Sequence, residues 1–302
     1  MSSISSAPRN PGPNWGYSFL LWAERWWPRW FFRPMLMIGT WVGVACMPIQ
    51  RTHSRAYLTV LFGRPARVIE IWRHFFAFAE FLILKLRVGR GRPLISTLDS
   101  TNGAIFEKLV TSPQPAFFGT FHFGCSDLLG YLLGERGRRV SIIRLRVGNS
   151  DDTRLLGQRF ADNVSFLWIN DPANLLFDLK SAIEAGSSLA LKCDRLEFSA
   201  KTEPFDFVGA KRLFPFTIYH LAILFARPVV FCTAVRTSGT ADKITVFSSS
   251  VFIPDQGRGR DFNLQAARIH FQDVLTELER LIRGHPYLWF NFLPLNSVVP
   301  AH

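Results

Sequence analysis

Cysteine is scarce, and each one stands alone: Cys46, Cys125, Cys193 and Cys232 are widely spaced, with no C-x-x-C pair. That pattern signals neither a zinc site nor a disulfide framework, and it suits a reducing compartment. The start of the chain lacks the succession of basic region, apolar core and small-residue cleavage site that marks a secretory signal, which speaks against secretion. Neither basic loop, Gly89–Arg92 or Gly257–Arg260, is followed by the Lys-Ser/Thr that a phosphate-cradling loop needs. No helix-turn-helix, zinc-finger or RNA-binding signature is present, and no internal repeat. Acidic residues are the minority, 23 Asp+Glu against 35 Lys+Arg for a formal charge of +12, so an anionic partner is expected. Nucleic acid, anionic lipid and an acidic carrier protein all qualify on charge alone.

What the chain has in quantity is apolar and aromatic surface. Its 302 residues are 48% hydrophobic and include 9 Trp and 29 Phe, enough for one large α/β domain with an N-terminal extension. Trp22, Trp26, Trp27, Trp30 and Trp41 mix with Arg25, Arg29 and Arg33. Indole favours the headgroup level of a bilayer and long cations snorkel to it, which turns the expected anion toward lipid. From Pro34 to Gln50 there are 17 residues without charge, reaching roughly 25 Å as a helix, marginal for crossing a bilayer. Residues 15–50 therefore read as an interfacial or half-buried anchor, with a true span and a buried soluble helix as the alternatives.

An amphipathic helix follows over 65–87, and the Gly-, Pro- and Arg-bearing stretch 88–103 reads as a link. The division expected is a disordered lead at 1–14, a helical membrane-associated segment at 15–90 and an α/β domain at 91–302. From residue 115 short apolar runs alternate with helical patterns. Ala116–Phe121, Val140–Leu145, Val164–Ile169, Leu189–Lys192, Pro228–Val235 and residues 243–253 read as strands. Residues 124–135, 151–161, 172–186, 215–226 and 262–283 read as helices. Alternation of this kind implies an α/β fold with a mostly parallel central sheet covered by helices on both faces.

The sharpest feature is Gly119-Thr120-Phe121-His122-Phe123-Gly124-Cys125-Ser126-Asp127, where an apolar strand gives way to a helix. Sites in open α/β sheets form at the carboxyl ends of strands. If His122 lies just outside the helix and Asp127 one turn in, the acid can hold one imidazole nitrogen while the other accepts a proton from an attacking hydroxyl or amine. A helix-capping pair would show the same spacing. Cys125 is too near His122 in sequence to serve as its nucleophile. His53, His74, His220, His270, His285 and His302 have no acid at useful spacing and read as structural.

His-Phe-Gly with an acid at Asp127 resembles the motif of the lipid A biosynthesis acyltransferases, relatives of the glycerolipid acyltransferases. The similarity continues at Lys192-Cys193-Asp194-Arg195, at Phe205-Asp206-Phe207-Val208-Gly209, and from Phe214-Pro215 to Arg227-Pro228-Val229-Val230. Two departures are visible: Asp127 stands where those enzymes commonly carry Glu, and Pro286-Tyr287-Leu288-Trp289-Phe290-Asn291-Phe292 replaces an Arg-ended tail. That tail, with Gly63-Arg64-Pro65 and Arg73-His74-Phe75, looks closer to the acyltransferases of aryl polyene lipid pathways.

The resemblance implies transfer of a fatty acyl chain from an acyl carrier protein or CoA thioester to a hydroxyl or amine of a membrane lipid or lipid precursor. His122 would be the base and Asp127 its orienting acid; Arg144, Arg146, Asp194, Arg195 and Gly209 would contact substrate. It implies no metal and no cofactor, and a place at the cytoplasmic face of a bacterial inner membrane. A thioesterase of the same substrates and an inactive lipid-binding homologue are the rival readings.

Overall fold

The computed structural model describes residues 14–145, 156–169, 172–196, 199, 201–237 and 242–299. All but the last residue of the expected 1–14 lead lies outside them, as does the first half of the helix expected at 151–161.

Helices come first. Pro28 separates α1 (Asn14–Trp26) from α2 (Arg29–Cys46), and Pro48 opens α3 (Pro48–Phe62) after a break at Met47. A proline lacks the N–H that an interior helical position must donate, so each of the two falls at an edge. α4 (Val68–Gly89) starts where Glu70 accepts the Arg67 backbone N–H at 2.7 Å. Among the described residues no single helix is long and apolar enough to cross a membrane. Trp30–Cys46 and Pro48–Phe62 pass that test only as a pair, bent by 97°. α1 to α3 leave Trp22, Trp26, Trp30, Ile38, Trp41 and Ile49 exposed. α3 and α4, by contrast, send Tyr57, Leu58, Ile71 and Leu84 into the same hydrophobic core as the sheet.

The sheet follows from β1 (Ile95–Leu98), β2 (Phe117–Thr120), β3 (Val140–Arg144), β4 (Val164–Trp168), β5 (Ser188–Lys192), β8 (Val229–Arg236) and β9 (Lys243–Phe252). Among the described residues these seven strands lie in the order β1-β9-β8-β2-β5-β3-β4. Only the β8–β9 pairing is antiparallel, so the expected mostly parallel sheet is present. Every strand expected from the apolar runs forms, with ends shifted by at most one residue. The expected link at 88–103 is different: it contains β1, paired with β9 across about 148 residues of chain. Four residues with one polar flank carry too little alternation to announce such a pairing. A separate antiparallel hairpin, β6 (Thr202–Phe207) with β7 (Ala210–Pro215), also forms where no strand was expected.

Helices α5 (Gly103–Thr111) and α6 (Leu129–Glu135) cover one face, where Phe106 meets Phe118 of β2. Helix α7 is Pro172–Glu184, and α8 (Thr217–Phe225) and α9 (Arg260–Gly284) cover the other face, where Tyr219 stacks on Phe231 of β8 and Phe271 packs against it at a tilt. Phe231 lies level with Gly119 of β2, and a Cβ there would stand 2.4 Å from the Phe231 ring. β2 thus runs through the middle of the molecule fully buried and delivers its carboxyl end to the site.

Candidate active site

β2 and β5 are adjacent parallel strands, with Thr120 level with Lys192. Cys193 donates its N–H to Thr120 O at 2.8 Å, carrying the ladder past the strand ends. Two residues beyond that level, His122 and Asp194 face each other. Asp194 Oδ1 accepts from His122 Nδ1 at 2.7 Å, and Oδ2 accepts the His122 backbone N–H at 2.8 Å and the Trp289 indole N–H at 2.9 Å. An ionised carboxylate only accepts, so the proton of neutral His122 sits on Nδ1 and Nε2 keeps its lone pair. Among the described residues Nε2 has no hydrogen bond to protein, and the ring lines a cavity of about 470 Å³.

The loop holding His122 is pinned on three sides. Phe290 donates to His122 O, Gly124 donates to Leu288 O and Cys125 donates to Ala234 O, each at 2.7 Å. Gly124 has φ +56°, and a Cβ on it would lie 2.0 Å from Ala234 O. The glycine of His-Phe-Gly is therefore required by the approach of the loop to β8. The C-terminal segment on the opposite side is anchored in turn: His74 Nε2 bonds Trp289 O at 2.9 Å, and Tyr57 donates to Pro286 O at 2.8 Å.

The expected pairing of His122 with Asp127 is not formed. Phe123 to Cys125 are drawn onto β8 and the C-terminal segment, and helical structure begins only at Ser126. Asp127 consequently sits in a first turn that faces Lys85, whose Nζ donates to Oδ2 at 2.9 Å, and Lys192, which forms an ion pair with Oδ1. Asp194, expected as a substrate contact, is the residue that orients the imidazole.

Charge states follow from these surroundings. Burial pushes His122 down to about 3, with Arg195 and Lys192 adding to the effect and Asp194 opposing it, so the ring is neutral at physiological pH. Burial alone would raise the Asp194 carboxyl, but His122, Arg195 and the Trp289 indole hold it below the usual range. For Asp127 burial is likewise outweighed, by Lys192, Lys85 and Arg144, and the carboxyl lies well below its ordinary value. Burial lowers Lys192, against the pull of Asp127. It raises the Cys125 thiol to about 12, which leaves that sulfur protonated and poor as a nucleophile.

His122, Asp127, Arg144 and Arg195 line one cavity together with apolar side chains such as Phe81, Ile142, Leu179, Leu221 and Phe292. Arg195 donates to Phe290 O at 3.5 Å, and Arg144 lies over the Phe166 ring at 5.8 Å. Gly209 does not line it. With Val208 at φ 47° and Gly209 at φ 72°, the pair makes the two-residue turn of the β6–β7 hairpin, a backbone role in place of the expected substrate contact. Arg146 lies outside the described residues. Three contributors were not anticipated: Lys192, although it belongs to the quoted Lys-Cys-Asp-Arg block; Trp289, within the unusual tail; and Lys85, for which an amphipathic helix offers no signal.

No protein-family model matches the chain, and no curated protein does. Among solved structures it is similar to the 1-acyl-sn-glycerophosphate (LPA) acyltransferase of Thermotoga maritima, at 12% identity and a TM-score of 0.40, over 85% of this chain and 99% of that one. A likeness of that depth leaves the function to be argued from the site.

Proposed function

We propose that the protein is an acyltransferase that moves a fatty acyl chain from a carrier thioester directly to a hydroxyl or amine, with His122 as general base and Asp194 as the acid that orients it. The carrying observation is an imidazole whose Nδ1 is held by a buried carboxylate and whose other nitrogen opens onto a large, mostly apolar cavity. Mutual orientation of base and acid is what proton transfer at a fixed atom needs, and an apolar cavity is what an acyl chain needs.

In the step proposed, Nε2 takes the proton of the acceptor O–H or N–H as its oxygen or nitrogen bonds to the thioester carbonyl carbon. Asp194 stabilises the resulting imidazolium. The tetrahedral oxyanion collapses, the C–S bond breaks, and the leaving thiolate takes the proton back from Nε2. Atoms and charge balance without an enzyme-bound acyl group, which agrees with a protonated Cys125. Arg195 and Arg144, at the cavity wall, suit the developing oxyanion or an anionic headgroup on the acceptor.

The donor proposed is an acyl carrier protein or CoA, both acidic, against a chain of charge +12. The acceptor proposed is a membrane lipid or lipid precursor, met at the cytoplasmic face of a bacterial inner membrane through the exposed tryptophans and isoleucines of α1 to α3. Incubation with acyl carrier thioester and extracted lipid, followed by mass spectrometry, tests the reading. Acylated lipid with the wild-type protein and none with His122→Ala is expected. Free fatty acid as the sole product would make it a hydrolase, and no turnover of any thioester would make it a binding protein.

A further inference from the structure

Strand register sets Lys192 beside the base. It is level with Thr120 on the neighbouring parallel strand, so the two side chains share a face of the sheet. His122 and Asp194 meet two residues further along that face. With about 4.8 Å between strands and about 6.6 Å for two residues, the Cα atoms of Lys192 and His122 stand about 8 Å apart, a span that a lysine stem largely covers. Lys192 also lines the cavity. The arginines are placed less well: Arg144 lies one strand further out and over the Phe166 ring, and Arg195 is turned to Phe290 O.

The charges around Asp127 do not cancel. Lys85, with a side chain 6% exposed, donates to Oδ2, and Lys192, with a side chain 29% exposed, forms an ion pair with Oδ1. One carboxylate against two ammonium groups leaves one positive charge over. Lys85 by itself would balance the acid, so neutralising Asp127 does not account for the second lysine. In the resting site that extra charge works against the base, because Lys192 lowers His122 and so opposes the imidazolium that proton transfer creates. Such a charge helps the reaction only if negative charge develops beside it in the same step.

From this placement and this surplus we infer that Lys192 is a catalytic residue: its ammonium donates to the thioester carbonyl oxygen as that atom becomes the tetrahedral oxyanion, and Asp127 with Lys85 positions it. The inference rests on the acyl-transfer reading. When the acceptor bonds to the carbonyl carbon, the displaced electron pair settles on oxygen and is met by a Lys192 N–H. The proton stays on the lysine, since the proton in transit is the one on His122 Nε2. As the C–S bond breaks, the pair returns and the carbonyl re-forms. A donor fixed in advance where charge will appear costs no reorganisation at that moment, and removing one such donor lowers kcat about 10²- to 10³-fold.

The test uses a lauroyl ketone isostere of the donor, with a methylene in place of the thioester sulfur, carried on CoA and on acyl carrier protein. It has the carbonyl of the donor but cannot give up its chain. Isotope-edited difference infrared spectroscopy reads the labelled carbonyl. In the wild type the bound C=O stretch should lie below that of the free isostere, and in Lys192→Met that shift should largely vanish. On the true thioester the same variant should lose about 10²- to 10³-fold in kcat with KM little changed. Lys85 still pairs with Asp127 there, so the variant is expected to fold, with circular dichroism as the check. Lys192→Gln, which keeps a polar contact to Asp127 without the charge, should also lose much of the shift and serves if the methionine variant folds poorly. A wild-type carbonyl with no shift, or a shift that folded variants retain in full, overturns the assignment. A protein that binds neither isostere refutes it together with the transfer reading. The expected shifts in a protein that transfers no chain refute the transfer reading alone.

Discussion

Exchanging Asp194 for asparagine keeps the size of the side chain and changes one property, the number of acceptors. The carboxylate accepts from His122 N–H, Trp289 Nε1–H and His122 Nδ1–H at 2.8, 2.9 and 2.7 Å. An amide oxygen can keep the first two. The amide NH2 then faces Nδ1 and donates to it, which forces the imidazole proton onto Nε2, the atom that has to accept. The same exchange in serine proteases lowers kcat about 10⁴-fold through the wrong tautomer, and a loss of about 10³- to 10⁴-fold is expected here. The fold favours the charged form of that carboxylate, so the melting temperature should fall somewhat as well. Asp127→Asn should weigh more on stability than on activity. It strands Lys85 and Lys192 around a neutral amide; breaking a buried pair costs about 3–5 kcal/mol, reduced here to about 1–3 because Asp127 and Lys192 keep some solvent contact. Its mark is a lowered melting temperature with a smaller loss of kcat. Steady-state kinetics on a thioester donor, paired with thermal unfolding, reads both variants. An Asp194→Asn protein with kcat within tenfold of wild type, or an Asp127→Asn protein that is the more severely inactive at full stability, refutes the assignment of roles.

Three further outcomes are expected. Since the fold holds His122 near 3 and His74 near 4, both below the ordinary 6.5, the neutral rings are the native form. In acid the unfolded chain takes up protons that the fold refuses, so stability should fall as the pH drops below about 6.5. Over the range where the protein stays folded, kcat/KM should show no acid limb at the usual histidine position; a limb there would place a different base in the reaction. Trp289→Phe retains a ring against Tyr57 and Phe207 and removes the N–H on Asp194 Oδ2. Losing a bond to a charged group, about 1.5–3 kcal/mol, predicts a fall in kcat of about ten- to hundredfold with KM little changed. Unaltered kcat would reduce Trp289 to packing. Finally, the wild-type protein should co-float with vesicles containing phosphatidylglycerol, less so at high salt, and Trp22, Trp26 and Trp30 replaced together by serine should weaken that binding strongly. Equal flotation of the two proteins would remove α1 and α2 from the membrane contact.

Much of the architecture is a local matter and was legible as such. Runs like Val140–Arg144 and Val229–Arg236 are mostly apolar until their last residue because a parallel strand under helices has two buried faces, and the glycine and proline between such runs mark their ends. What escaped was short or depended on a distant partner. β1 is held by β9, and the hairpin at Thr202–Pro215 turns on Val208, a residue that rarely takes a positive φ.

At the site, His122 could be picked out because a histidine at the carboxyl end of a buried strand has little structural reason to be there. Its partner could not be picked out in the same way. Reading along the chain favours the nearest acid, Asp127, whereas the acid in contact is 72 residues away. Two decisions made far from the motif settle the matter: β5 lies next to β2 with Thr120 level with Lys192, and the C-terminal segment with β8 pulls Phe123–Cys125 out of helical geometry. Composition and periodicity specify which segments become strands and helices, since each residue meets its own backbone and near neighbours; strand order and register bring together residues that share no local signal, and the pairing of imidazole and carboxylate is of that second kind.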